Sequence, residues 1–148
     1  MQAQLIDAGQ ERTFAIIFAT GDDPMAGLLA FAREQQLRAS HFTAIGAFSS
    51  VTLGYFQFER KTYEHIPVYE QVEVLSLVGD ITLDRGEPAL HAHVVIGKSD
   101  GTAHGGHLLE ARVRPTLEVM LVESPTTLRR RFDPDTGLTL IDLQAGAR

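Results

Sequence analysis

His91, His93 and His107 are the residues of this chain best suited to chemistry. They are three of its six histidines, gathered within 17 residues in Leu90-His91-Ala92-His93-Val94-Val95-Ile96 and Gly105-Gly106-His107-Leu108. The run from Ala89 to Ile96 is apolar and rich in β-branched residues, which predicts a strand. Side chains two apart on a strand share a face, with Cα atoms roughly 6.5–7 Å apart. Two imidazoles leaning together from that spacing reach one ion at about 2.0–2.1 Å each. Lys98-Ser99-Asp100-Gly101 is strong turn chemistry, so the chain doubles back and returns His107 on the neighbouring strand. Three protein ligands with one position left open is the arrangement of catalytic rather than structural zinc. Spacing alone also admits a polar strand face whose imidazoles are satisfied by hydrogen bonds. Two points favour the metal: histidine is the commonest metal ligand, and the glycine pair before His107 lets the backbone approach closely.

Carboxylates within strands raise a second question. Glu73 lies in Gln71-Val72-Glu73-Val74-Leu75-Ser76-Leu77-Val78, where alternation puts it on one face with Leu75 and Leu77. In so apolar a strand it sits at an exposed edge or is buried with a partner. Near a metal it would serve as a partner of an imidazole or as a catalytic acid/base; otherwise it forms a structural ion pair or hydrogen bond. Glu118, in Leu117-Glu118-Val119-Met120-Leu121, poses the same question more weakly. No P-loop or dinucleotide fingerprint is present, which leaves out the common NTPase and Rossmann signatures.

The elements that must hold these residues are mostly strands. Arg12 to Thr20 reads as a strand, and Asp23 as N-cap with Pro24 at the first helical position opens a helix to about Gln36. Met25, Leu28, Leu29 and Ala32 form its buried stripe. Strands are expected at Ala44–Phe48, Val51–Phe58, Glu70–Val78, a short Ile81–Leu83, the histidine run, Leu108–Val113 and Thr116–Val122. Asp133-Pro134-Asp135-Thr136-Gly137 predicts a final hairpin between Leu128–Phe132 and Leu138–Leu143. One helix followed by many strands predicts an α+β fold with a largely antiparallel sheet.

At 148 residues and 44% hydrophobic content, the chain is expected to form a single globular domain over residues 1–148. No apolar run approaches a membrane span and no basic start precedes an apolar segment, so a cytoplasmic location is expected. The absence of cysteine excludes disulfides and thiolate metal sites. A net charge of −6 argues against broad electrostatic attachment to DNA. Arg129-Arg130-Arg131 is the clearest basic run, read as a solvated or subunit-contact face.

From about Arg12 to Leu143 the chain resembles the plant-and-prokaryote conserved (PPC or PCC) domain. The resemblance rests on Ile45-Gly46-Ala47-Phe48, Val51-Thr52-Leu53-Gly54-Tyr55-Phe56, Lys61-Thr62-Tyr63, Glu73-Val74-Leu75-Ser76-Leu77-Val78-Gly79, His91-Ala92-His93, Asp100-Gly101, Gly105-Gly106-His107-Leu108 and Glu118-Val119, in that order. It implies an antiparallel sheet flanked by helices and assembly as a homotrimer. Plant members join the domain to AT-hooks in nuclear DNA-binding proteins. Here no Arg-Gly-Arg-Pro core is present, and Glu70-Gln71 stands where the plant motif begins Gly-Arg. The His-x-His then Gly-Gly-His order is also similar to the three-histidine zinc site of acetolactate decarboxylase, and carried over it selects His91, His93 and His107 and leaves His104 aside. Three functions follow as expectations. One is a trimeric metal-binding module for an unidentified ligand. Another is a zinc-dependent lyase or hydrolase on a small oxygenated molecule, with Glu73 as proton carrier. The last is a DNA-associated regulator, with DNA binding by this domain alone expected to be weak.

Overall fold

Asp23 and Pro24 start the only α-helix among the described residues. The Asp23 side chain accepts a hydrogen bond from the Ala26 amide, and α1 runs Pro24–Gln35. The computed structural model describes residues 2–8 and 10–144. Residues 1, 9 and 145–148 of the expected domain lie outside them. The strands are β1 (Gln2–Ala8), β2 (Arg12–Ala19), β3 (Ala39–Gln57), β4 (Thr62–Val68), β5 (Val72–Asp84), β6 (Glu87–Gly97), β7 (Ala103–Glu123), β8 (Arg129–Asp133) and β9 (Leu138–Asp142). They form one sheet in the order β1-β2-β7-β3-β5-β8-β9, with β4 on β3 and β6 bridging β5 and β7. All pairings are antiparallel except the short β5–β8 contact. Because β5 and β7 each also pair with β3, the strands β3, β5, β6 and β7 close on one another around the core.

The core lies between this curled sheet and α1. Phe14, Ile16 and Phe18 of β2 share one buried cluster with Leu28, Phe31 and Ala32 of the helix, with Phe14 and Phe31 edge to face at 5.1 Å. Phe31 thus joins the expected stripe, of which Leu28 and Ala32 are fully buried while Met25 and Leu29 are half-buried. At the end of β7, the buried Glu123 carboxylate accepts from the Arg38 and Ala39 amides and the Ser40 hydroxyl, fastening the start of β3.

Several sequence expectations need correcting. The fold is largely antiparallel, and among the described residues the helices expected to flank the sheet amount to α1 and a short 3-10 turn at Phe58–Arg60. Segments read as separate strands are continuous in β3, β5 and β7: bulges absorb the interruptions in β3 and β7, and in β5 Gly79 and Asp80 pair in unbroken register. Register shifts fall between Gly46 and Phe48 and between Phe48 and Ser50 on the β3–β7 ladder. The alternation of β5 also breaks, with a shift between Val74 and Ser76. Glu73 and Leu75 therefore face outward while Leu77 turns into the core, against the expectation that all three share a face.

Gly46 makes the β3 bulge possible. Its φ is +153°, and a Cβ there would strike the Thr116 carbonyl oxygen and come within 2.8 Å of Leu117 Cα. Gly46→Ala should cost at least about 2 kcal/mol in chemical unfolding, by combining backbone strain with a clash against rigid backbone. A loss below about 0.5 kcal/mol would show that the bulge relaxes freely.

Candidate metal centre

The turn at Lys98–Thr102 sets the register that assembles the centre. Lys98 N donates to Thr102 O and Gly101 N to Lys98 O, each at 2.9 Å, and the Asp100 carboxylate accepts from the Thr102 amide and hydroxyl. The chain then returns with His93 directly opposite His107. Two residues back on β6, His91 shares the outward face with His93, while Ala92 between them is buried. The glycine pair works as its spacing suggests: a Cβ on Gly106 would lie 2.8 Å from the Gly54 carbonyl oxygen, so only glycine lets β7 come this near β3.

His91, His93 and His107 each bring a ring nitrogen to within 4.8 Å of the others. His91 Nε2 and His93 Nε2 stand 3.1 Å apart. Two nitrogens on a tetrahedral ion are separated by about 3.3 Å, from metal–nitrogen distances of about 2.0–2.1 Å. The cluster therefore fits an ion after small ring movements. An all-imidazole donor set suits zinc, copper, iron or nickel rather than magnesium or calcium.

The outer nitrogens also have neighbours. Nδ1 of His107 lies 3.5 Å from the Tyr63 hydroxyl, which leaves Nε2 as the nitrogen free for an ion. Nδ1 of His91 faces Asp80 Oδ2 at 3.9 Å. Asp80 is held from the other side by Arg130 of β8, whose Nη2 donates to Oδ1 at 2.5 Å. A cavity of about 260 Å³ opens beside His91 and His107, walled by Tyr63, Leu90, Arg130 and the β9 residues Leu138 and Leu140.

Electrostatics favour the metal-ready state. Burial, reinforced by His91 and His93, pushes the His107 imidazolium down to about 4. His91 is lowered chiefly by burial, then by His93 and Arg130, against the opposing pull of Asp80. Both rings are therefore uncharged near neutral pH, as ligation requires. Burial raises the Tyr63 hydroxyl, which keeps it a neutral phenol.

The sequence matches the Plants and Prokaryotes Conserved (PCC) domain over residues 6–125. The chain belongs to the PCC domain family. Among curated proteins none matches it. Of solved PCC-like structures, a protein from Bacteroides thetaiotaomicron proposed to bind DNA shares 27% identity, with a TM-score of 0.86 over 96% of this chain and 98% of its own. A metal-containing protein from Archaeoglobus fulgidus is 33% identical, with a TM-score of 0.82 over 95% and 96%. The α-acetolactate decarboxylase of Bacillus subtilis is similar in fold alone, at 12% identity and a TM-score of 0.57, over 85% of this chain and 58% of the enzyme. The hairpin β8–β9 lies beyond the residues matched to the PCC domain.

Within this PCC fold the expected site residues separate. The three histidines come together. His104 is exposed opposite Ile96 and meets Thr102 instead. Glu73 is exposed opposite Gly97, four residues along β6 from His93 or roughly 13 Å by strand rise, so it does not join the cluster. Glu118 is likewise exposed, across from Ile17 and Ile45. The arginine run is not one basic face: the Arg130 side chain is only 9% exposed, and Arg131 pairs with Asp142. Sequence reasoning passed over Asp80 and took Tyr63 only as a mark of resemblance. The available signal was an Asp two residues beyond Val78 on an apolar strand.

The folded value of His107 lies below its ordinary 6.5, so the unfolded chain binds more protons between the two values. Its contribution to stability is complete above about 6.5 and is lost as pH falls toward 4. The metal-free protein should melt at progressively lower temperature across that interval, and His107→Ala should flatten the profile. An unchanged slope in the variant would contradict the assignment.

Proposed function

We propose that this PCC domain protein binds one zinc ion through His91, His93 and His107, leaving a fourth position for an exogenous ligand, and works as a homotrimer. The convergence of three imidazoles on one point of the outer sheet face carries the reading. The metal-containing Archaeoglobus relative supports it independently. When bound, zinc would supply a Lewis acid able to polarise a carbonyl or lower the pKa of a water. The residues of the chain would hold and orient it: Tyr63 steadies His107, Asp80 faces His91, and the cavity beside them bounds what can enter. A lyase or hydrolase acting on a small oxygenated molecule is consistent with that layout, although Glu73 stands too far along the sheet to move a proton there within one chain.

Trimer formation is supported by the outward sheet face. Met120, Thr43, Val78 and His93 lie side by side across β7, β3, β5 and β6, with Ile45 one pair along. Ile45 is 61% exposed, and Val78 and Met120 are also exposed, an apolar surface of the kind that marks an interface. The DNA-associated reading draws on the Bacteroides relative. The net charge of −6 and the inward turn of Arg130 weigh against it.

Elemental analysis tests the site. Protein expressed with zinc and purified without chelator should hold about one ion per chain. His91→Ala, His93→Ala and His107→Ala should each lose it, and His104→Ala should keep it. Equal loss on changing His104 would mean that the third ligand is misassigned. Light scattering should give about three times the chain mass of 16.2 kDa; a stable monomer at micromolar concentration would refute the trimer.

A further inference from the structure

Arg130 stands out as a nearly buried cation on a hairpin outside the residues matched to the PCC domain. Each of its three guanidinium nitrogens donates a hydrogen bond. Nε donates to Thr82 Oγ1 at 2.7 Å, Nη1 to the Thr139 carbonyl at 2.9 Å, and Nη2 to Asp80 Oδ1 at 2.5 Å. One guanidinium thus ties β8 to β9 and both to β5. A planar fork with donors in fixed directions suits this role, and a lysine could not span the three acceptors.

Asp80 is the link to the histidines. Register places it opposite His91 across the β5–β6 ladder. With Oδ1 taken by Arg130, Oδ2 is presented to His91 Nδ1 at 3.9 Å. That is outside hydrogen-bond reach, but a modest ring rotation would close it. Bringing the three ring nitrogens from within 4.8 Å of one another onto one ion also requires small ring movements. A ligating histidine whose other nitrogen meets a carboxylate has its tautomer and orientation fixed. The hairpin is anchored again at its tip, where Lys61 Nζ donates to the Pro134 carbonyl at 2.6 Å, and at its base, where Leu83 N donates to Leu128 O.

We infer that Asp80 and Arg130 are positioning residues of the three-histidine centre, so that the C-terminal hairpin is a working part of the metal site. This rests on the metal-binding reading above. Arg130 sets the carboxylate, the carboxylate sets the His91 ring, and neither touches the ion.

The test titrates metal-free, full-length protein with Zn²⁺ against a chromophoric chelator, and with Co²⁺ followed by its visible bands. Wild type, Asp80→Asn, Arg130→Met, Arg130→Lys and the double variant Asp80→Asn/Arg130→Met are compared. Losing such a partner weakens metal affinity by about 10- to 100-fold. Asp80→Asn and Arg130→Met should each fall in that range with altered cobalt bands and still reach one ion at saturation. The double variant should be no weaker than the worse single by more than about threefold, because the two act in series. Arg130→Lys should recover only part of the loss. If Arg130→Met fails to fold, Asp80→Asn decides the matter, since the Asp80 side chain is already 29% exposed. Zinc affinity and cobalt bands unchanged or improved in Asp80→Asn, whatever its melting temperature, would overturn the inference. A wild type that takes up neither metal would instead overturn the metal-binding reading itself.

Discussion

The antiparallel register between β6 and β7 is the constraint on which the centre depends. His93 faces His107 only because the Lys98–Thr102 turn returns the chain without slippage. A shift of one residue would turn His107 into the core and set Gly106 or Leu108 opposite His93, since side chains alternate with period two. The register is held from both sides: Val94 and Ile96 are buried on the inner face of β6, and Leu108 follows His107 into the core. Apolar burial thus fixes the position of the polar groups on the outer face. Burial disfavours the imidazolium form of both His91 and His107.

The three-histidine cluster was the most legible part of the sequence, because it is local. Two histidines on one strand, a turn and a glycine-flanked third histidine all lie within 17 residues. Their convergence needs only strand periodicity and one turn. The helix start was equally legible, since Asp23 and Pro24 act within a few residues. The rest of the site comes from far along the chain. Tyr63 arrives on β4, Asp80 on β5 and Arg130 on β8, and no local pattern couples them. Arg130 was misleading in sequence because Arg129 and Arg131 beside it are exposed, whereas strand alternation turns the middle residue inward.

The fold was legible in its parts and obscured at its irregularities. Pro115 falls between the strands expected at Leu108–Val113 and Thr116–Val122, which are one strand, β7. It lies between the Val113–Phe48 and Leu117–Gly46 pairs, at a register shift, where a ladder tolerates proline. The exposed strand β4 carries Pro67 and little apolar alternation, and it pairs only with β3, so its signal was weak. The bulge beside Leu75 reversed the expected faces of β5 and separated Glu73 and Leu77. Bulges were the common cause, because each shifts the two-residue period by one without an unambiguous signature in composition.

The central claim is that three imidazoles hold one metal ion, and anomalous X-ray scattering tests it most directly. Crystals of the full chain, soaked in zinc and measured on both sides of the zinc absorption edge, should show one strong peak per chain. That peak should lie about 2.0–2.1 Å from one ring nitrogen each of His91, His93 and His107. A zinc-soaked crystal with no peak at that point, or with His107 turned away and the ion on other residues, would contradict the account.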